Sequence, residues 1–385
     1  MSNPTGDIPR SIRGHVLALI RDRGPMPRAE LARRLALSAT TITRTVNELE
    51  AGKLLVEGQL LPSAGAGRPA TNLHILPEAC RVAAVQIGIG IVQIGLFDAL
   101  GGRIGASRFE HAADASADTV LRQSAAALEQ LCASHGLALG ALGGIGVAVP
   151  GPVDATGRRM LVSIRLGWRD APVADTLEAL TGLPVRVEHN VRAMALAEAR
   201  FGRGKGLGSV AFVYLRSGLG AGLVVEGQPF SGGVHGAIEL GHLQVIAHGT
   251  RCICGGRGCI ETVLSDTALR ATTRRLRIAP EPNALTALWQ AAQRRADAAR
   301  SVEGIVAPLS TGLSALTTLV NPELVLLGGA LADIPDALFE RIVESTLEGT
   351  FPAIRTSIRI ERSQLGADAG LAGGATVALD HFLYA

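Results

Sequence analysis

Three of the chain's five cysteines, Cys252, Cys254 and Cys259, crowd into eight residues. The run reads Glu239-Leu240-Gly241-His242, then nine residues, then Cys252-Ile253-Cys254-Gly255-Gly256-Arg257-Gly258-Cys259-Ile260-Glu261. One imidazole and three thiols make four soft or borderline donors, the set that a closed tetrahedral zinc site requires. The interleaved glycines allow a loop tight enough for the sulfurs to converge. Four protein ligands leave no coordination position for a reactive water. His242, Cys252, Cys254 and Cys259 are therefore expected to hold a structural Zn2+, which stabilises local folding by on the order of 10 kcal/mol. The same cysteines imply a reducing compartment, where metal binding is favoured over disulfides.

The chain is too long for one ordinary domain: 385 residues suggest two or three units. With 47% apolar and 18% charged residues it can bury a sizeable core, which excludes wholesale disorder. Aromatics make up only 3%, so that core is aliphatic. The mean hydropathy of +0.29 raises the question of a membrane. Yet the apolar stretch Val82–Phe97 carries Gln86 and Gln93 and is shorter than the about 20 residues a span needs. Asp7, Arg10, Arg13, Arg21 and Arg23 interrupt the first thirty residues, so no secretory leader is legible. The expectation is a cytoplasmic protein without a membrane partner.

The amino-terminal part reads as three helices. Ile12, Val16, Leu19 and Ile20 lie on one helical face, and Gly24-Pro25 breaks that helix. A second runs from about Arg28 to Leu35, with Leu31 and Leu35 on one side. Ser38 is placed to cap a third, running to about Glu50, whose Ile42, Val46 and Leu49 face the other two. Leu54-Leu55-Val56-Glu57 and Leu60-Leu61 read as a two-stranded wing. This is a winged helix-turn-helix layout. A major groove admits one helix, and short hydroxyls and arginine near its start reach bases or phosphates. Ser38, Thr40, Thr41, Thr43 and Arg44 are the candidates for contact with double-stranded DNA. Beyond the wing, Gly67-Arg68-Pro69 would let Arg68 enter a narrow minor groove. Residues 1–76 carry ten Arg/Lys against six Asp/Glu. That excess is too small for a general nucleic-acid coating protein.

After residue 76, β-branched strands alternate with Ala-rich helices, the texture of an α/β protein. Val82–Asp98 and Val210–Val225 read as glycine-bent hairpins and hint at two related lobes; Gly144–Asp154 is a strand running into a turn. The arginines of Arg270–Arg277 and Arg294-Arg295 read as the solvated faces of helices.

Glu-x-Gly-His followed by Cys-x-Cys-Gly-x-x-Gly-Cys-x-Glu resembles the signature of the ROK family of sugar kinases and transcriptional repressors, and the likeness runs from about residue 80 to the end. It implies an α/β, two-lobed actin-like ATPase fold preceded by an all-α winged helix-turn-helix domain. The implied layout is a DNA-binding domain over 1–61, a linker over 62–76, a first lobe over 77–190 plus about 365–385, and a second lobe over 191–364 with the zinc motif. It also implies that Glu239, His242 and Glu261 meet sugar hydroxyls, with His189 and Asn190 completing the sugar site.

Where family kinases carry Asn-Asp-Ala-Asn-Ala, this chain reads His189-Asn190-Val191-Arg192-Ala193. The position of the catalytic Asp is Asn190, and an amide has no basic lone pair at neutral pH. Losing a general base costs about 10²–10⁴ in rate. Where kinases carry Asp-x-Gly-Gly-Thr, this chain has Gln86-Ile87-Gly88-Ile89-Gly90, without the carboxylate or the hydroxyl. The resemblance therefore implies a non-enzymatic, sugar-responsive repressor. It would bind a palindromic operator as a homodimer or tetramer. The competing reading is an active ATP-dependent sugar kinase with a regulatory head.

Overall fold

The Ser11 hydroxyl accepts from the Gly14 amide and starts α1 (Ile12–Arg23), which Gly24 ends at φ +86°. The computed structural model describes residues 11–60, 71–232 and 238–385, so Arg68 and the rest of Gly67-Arg68-Pro69 lie outside the described residues. A short strand, β1 (Met26–Pro27), leads into α2 (Arg28–Leu35). Ala36 then turns the chain in a left-handed conformation, and Ser38 caps α3 (Ala39–Ala51) by accepting from the Thr41 amide. Leu31, Ile42, Val46 and Leu49 are wholly buried with Val16 and Leu17 of α1.

Two expectations for this head need correction. Ile12 is 40% exposed, and Leu17 fills the core instead. The wing strand β2 (Leu55–Leu60) pairs antiparallel with β3 (Thr71–Ile75), whose other edge carries β1. Residues 71–75, expected in the linker, are thus the central strand of a three-stranded sheet, and the head is not all-α. The reason lies in β3's alternation: Leu73 and Ile75 are buried, while Thr71, Asn72 and His74 are only half-buried.

The chain divides into two compact units, Met1–Ala193 with Gly370–Ala385, and Met194–Ala369. In the first, β4 (Arg81–Ile87), β5 (Ile91–Asp98) and β6 (Arg103–Glu110) form an antiparallel meander. Helix α4 (Ala117–Ser134) leads to β7 (Ile145–Val149), parallel to β4. A small hairpin, β8 (Met160–Ser163) and β9 (Trp168–Ala171), and α5 (Val173–Thr181) precede β10 (Val185–His189), which adds parallel to β7. Helix α6 (Asn190–Phe201) carries the chain into the second unit.

There β11 (Ser209–Leu215), β12 (Leu219–Val225) and β13 (Gln228–Pro229) are again antiparallel. Helices α7 (Asp266–Leu276), α8 (Ala284–Ala292) and α9 (Ala296–Val320) follow, then β14 (Leu324–Gly329), α10 (Asp336–Gly349), α11 (Pro352–Arg355) and β15 (Arg359–Arg362). Strand order β13-β12-β11-β14-β15 repeats β6-β5-β4-β7-β10, with the same parallel and antiparallel neighbours. The two glycine hairpins are the first two strands of each repeat. Among the described residues one helix, α9, has the length and hydropathy of a membrane span; 56% of that window is buried, and its apolar face belongs to the second unit's core.

Helix α12 (Ala369–Phe382) returns the chain to the first unit. It lies directly on the sheet: a Cβ on Gly146 would fall 1.9 Å from the Gly374 carbonyl oxygen. Its far end grips the head. Arg21 of α1, 5% exposed, reaches Asp380 at 2.5 Å and Asp22 at 2.7 Å, with its guanidinium 4.2 Å from the centre of the Tyr384 ring. The Tyr384 hydroxyl donates to the Ala99 carbonyl, and Ser11 donates to the Ala385 carbonyl.

Candidate metal, effector and DNA sites

His242 ends a 3₁₀ turn, Leu240–His242, and Cys259 precedes another, Ile260–Thr262. Between them the backbone doubles back through Gln244↔Cys259 and Arg251↔Arg257 bridges. This brings the ligand atoms of His242, Cys252, Cys254 and Cys259 within 4.8 Å of one another. Tetrahedral zinc with Zn–S near 2.3 Å and Zn–N near 2.0 Å requires S···S of about 3.8 Å and N···S of about 3.6 Å. The Cys254 and Cys259 sulfurs are 3.7 Å apart, and His242 Nδ1 lies 3.6 Å from the Cys252 sulfur. Donor set and spacing both fit a closed four-coordinate metal. Without a cation the sulfurs compete for protons: burial and the neighbouring thiols push Cys259 up to about 12, whereas the Gly256 amide draws Cys254 down.

Each unit carries part of the sugar-site set. In the second, Glu239 is exposed just before the His242 turn. Glu261, 9% exposed, lies in the turn that follows Cys259 and accepts from the Leu219 amide at 3.2 Å. A Cβ on Gly218 would stand 2.4 Å from its carboxylate, so glycine at the hairpin bend lets Glu261 approach the backbone. In the first unit, His189 ends β10, 8% exposed, with no partner for Nδ1. Burial, with Arg192 adding to it, depresses its pKa to about 4, so the ring is neutral at physiological pH. Asn190 opens α6, and its Oδ1 accepts from the Val191 amide at 2.7 Å, leaving the NH2 group to donate.

Glu188 and Arg192 escaped the sequence reading. Arg192 is 3.2 Å from Glu188, whose carboxylate also accepts from the His189 amide, and Arg192 Nε is buried without a partner. The available signal was the cation standing where the kinase motif has its second Asn. Gln86 is 5% exposed and packs so closely on α12 that a Cβ on Gly370 would overlap its amide.

On the head, Thr40, Thr43 and Arg44 are exposed along α3, and Thr41 is half-buried. The Ser38 hydroxyl is already engaged, by the Thr41 amide at 3.1 Å and the Thr41 hydroxyl at 2.8 Å, so capping is its first role. Asn47 shares the exposed face and was missed. Arg28 donates to Asn47 Oδ1 at 2.7 Å while reaching Glu50 and Glu57, and this fixes the amide with its NH2 group free to donate.

The doubled sheet, the cysteine turn and the helical head together define the class: the chain belongs to the ROK family, whose profile matches residues 82–381. It has the actin-like ATPase fold of that family, preceded by a winged helix-turn-helix. The profile of the MarR family matches residues 13–54. The DNA-binding transcriptional repressor Mlc of Escherichia coli K12 is 30% identical over 373 residues, covering 94% of this chain and 92% of that protein. A glucokinase of Thermotoga maritima is 29% identical over 247 residues, covering 60% of this chain and 78% of that enzyme. A solved ROK family transcriptional regulator, a homologue of E. coli MLC, superposes with a TM-score of 0.82 at 27% identity, covering 97% of this chain and 96% of that one.

Proposed function

We propose that this chain is a sugar-responsive, DNA-binding transcriptional regulator, a repressor of carbohydrate uptake or metabolism genes. It acts in the cytoplasm as at least a dimer on a palindromic operator. The observation that carries the reading is coverage: likeness to a repressor runs through the head, over 94% of the chain, whereas likeness to a glucokinase spans 60%. Residues 1–61 read DNA through Thr40, Thr41, Thr43, Arg44 and Asn47, with Ser38 holding the helix start and Arg68 reaching the adjacent minor groove. His189, Asn190, Glu239, His242 and Glu261 bind the sugar hydroxyls.

Zinc on His242, Cys252, Cys254 and Cys259 would supply structure, holding the turn that carries Glu261. Glu261 orients against the Leu219 amide, and Asn190 offers a donor where a kinase offers a base. The packed amide of Gln86 leaves that strand end without a carboxylate for magnesium, which supports a non-enzymatic role. Sugar binding biases the arrangement of the lobes, and a coupling of about 1–3 kcal/mol changes operator occupancy by about 5- to 150-fold.

The test is a melting-temperature screen against free and phosphorylated sugars, repeated with Glu239→Ala, followed by operator titration with and without the hit. A sugar that stabilises the wild type but not the variant, and shifts operator affinity, is expected. ATP-dependent sugar phosphorylation at ordinary enzymatic rates overturns the reading.

A further inference from the structure

In the second unit a solvent-open depression of about 450 Å³ lies between α7 and α9. That volume falls within the range of small-molecule pockets. Its floor is apolar, from Val263, Leu276 and Ile305, and two arginines, Arg275 and Arg300, stand at its exposed edge. Asp297 also lines it, but that carboxylate is already bonded by Arg295, at 2.8 and 3.2 Å, and by the Ala298 amide at 2.8 Å. Arg270 is likewise paired, with Asp266 at 2.9 Å. Among the described residues neither Arg275 nor Arg300 has an acidic partner. The same holds for Arg274, Arg277 and Arg294 nearby, so the field at the mouth is positive although the chain's net charge is only +3.

Gly304 also borders the depression. It lies inside the 25-residue α9, where glycine is a poor helix former. Close packing does not require it, since a Cβ there would meet nothing within 4 Å. Gly304 is solvent-exposed and lines the depression, so its missing side chain keeps that face of α9 open. The Ser301 hydroxyl donates to the Asp297 carbonyl, which leaves the Thr272 hydroxyl as the neutral donor facing the space.

We propose that this depression binds a phosphomonoester, with its dianion held by the guanidinium groups of Arg275 and Arg300 and its organic body on the Val263–Leu276–Ile305 floor. Two guanidinium forks match a dianion better than a single carboxylate. A concave apolar floor suits a small organic body rather than the convex backbone of a duplex. Val263 comes two residues after Glu261, so the bound molecule touches the segment that continues the effector turn.

The test titrates zinc-loaded, full-length Glu239→Ala protein calorimetrically with glucose 6-phosphate and with AMP; glucose and adenosine serve as controls. That background removes the proposed effector pocket, so failure here is distinguishable from failure of the regulator reading. One ester is expected to bind once per chain, at least about tenfold tighter than its dephosphorylated counterpart. Arg275→Gln/Arg300→Gln removes two exposed charges, and Gly304→Leu fills the space without a clash; each should weaken binding by at least about tenfold. No heat with either ester at about 10 mM overturns the proposal, as does binding that both variants leave unchanged. A loss of operator affinity in Arg275→Gln/Arg300→Gln would make these arginines a DNA contact instead and also overturns it.

Discussion

Arg21→Met should release the head from the rest of the first unit. Arg21 is buried, reaches Asp380 at 2.5 Å and Asp22 at 2.7 Å, and covers the Tyr384 ring at 4.2 Å. Burial works against its charge, but the two carboxylates more than offset that and raise its pKa. Removing one partner of a buried pair costs about 3–5 kcal/mol, because the other charge stays desolvated. Asp22 is 28% exposed and recovers part of its hydration, whereas Asp380 at 14% recovers less. The lost cation–π contact adds about 0.5–2 kcal/mol. The expected cost is therefore about 3–4 kcal/mol, a several-hundred-fold shift toward the undocked head. Denaturant unfolding of wild type, Arg21→Met, Asp380→Leu and the double variant closes a cycle in which the pair should couple by about 2 kcal/mol or more. The head has its own core of Val16, Leu17, Leu31, Ile42, Val46 and Leu49, so amide exchange in α3 should persist while protection of the last turn of α1, around Arg21, falls. A coupling within about 0.5 kcal/mol of zero would refute the reasoning.

Cys259→Ser should lower bound zinc from about one per chain to near zero by elemental analysis, and destabilise the second unit by several kcal/mol of the about 10 available. His189 titrates at about 4 in the folded state against 6.5 free, so the unfolded chain binds the extra proton between those values. Stability should be complete above about pH 6.5 and fall by up to about 3 kcal/mol as the pH drops toward 4; His189→Gln should flatten that slope in pH-dependent melts. Arg44→Ala is expected to weaken all duplexes alike and reduce the salt slope by about 1, whereas Asn47→Ala should cost about 1–3 kcal/mol at the operator and relax preference at one position; fluorescence anisotropy at several salt concentrations separates them.

What could be read from the sequence was local. The cap at Ser38, the periodic Ile42, Val46 and Leu49, and the glycine bends of the two hairpins each declare themselves within a few residues. The convergence of His242, Cys252, Cys254 and Cys259 was legible for the same reason, because such a donor set at close spacing has few uses. The wing was misread because β2 finds its partner in β3, beyond the Gly/Ala-rich stretch, and such pairing follows from burial of Leu73 and Ile75 rather than from any turn signal. Arg21 was read only as a charge near the start of the chain; its partner Asp380 lies 359 residues away. The compact units divide at 193/194 and 369/370. The head falls with the first unit, to which Arg21–Asp380 and Ser11–Ala385 tie it.

Helix α12 links these features. Its first turn packs on Gln86 through Gly370, its middle lies on β7 through Gly374, and its last turn holds Arg21 through Asp380. From Gly370 to Asp380 the helix rises about 15 Å, so one rigid element joins the end of β4 at Gln86 to the helix that opens the head. Here an amide side chain fills the contact with the helix start, and a glycine is needed for the two to meet. A helix packed by protein at its beginning gives the head a firm mount. On this argument Gln86 and Arg21 act on the same helix from opposite ends, and substitution of either should be felt in operator affinity.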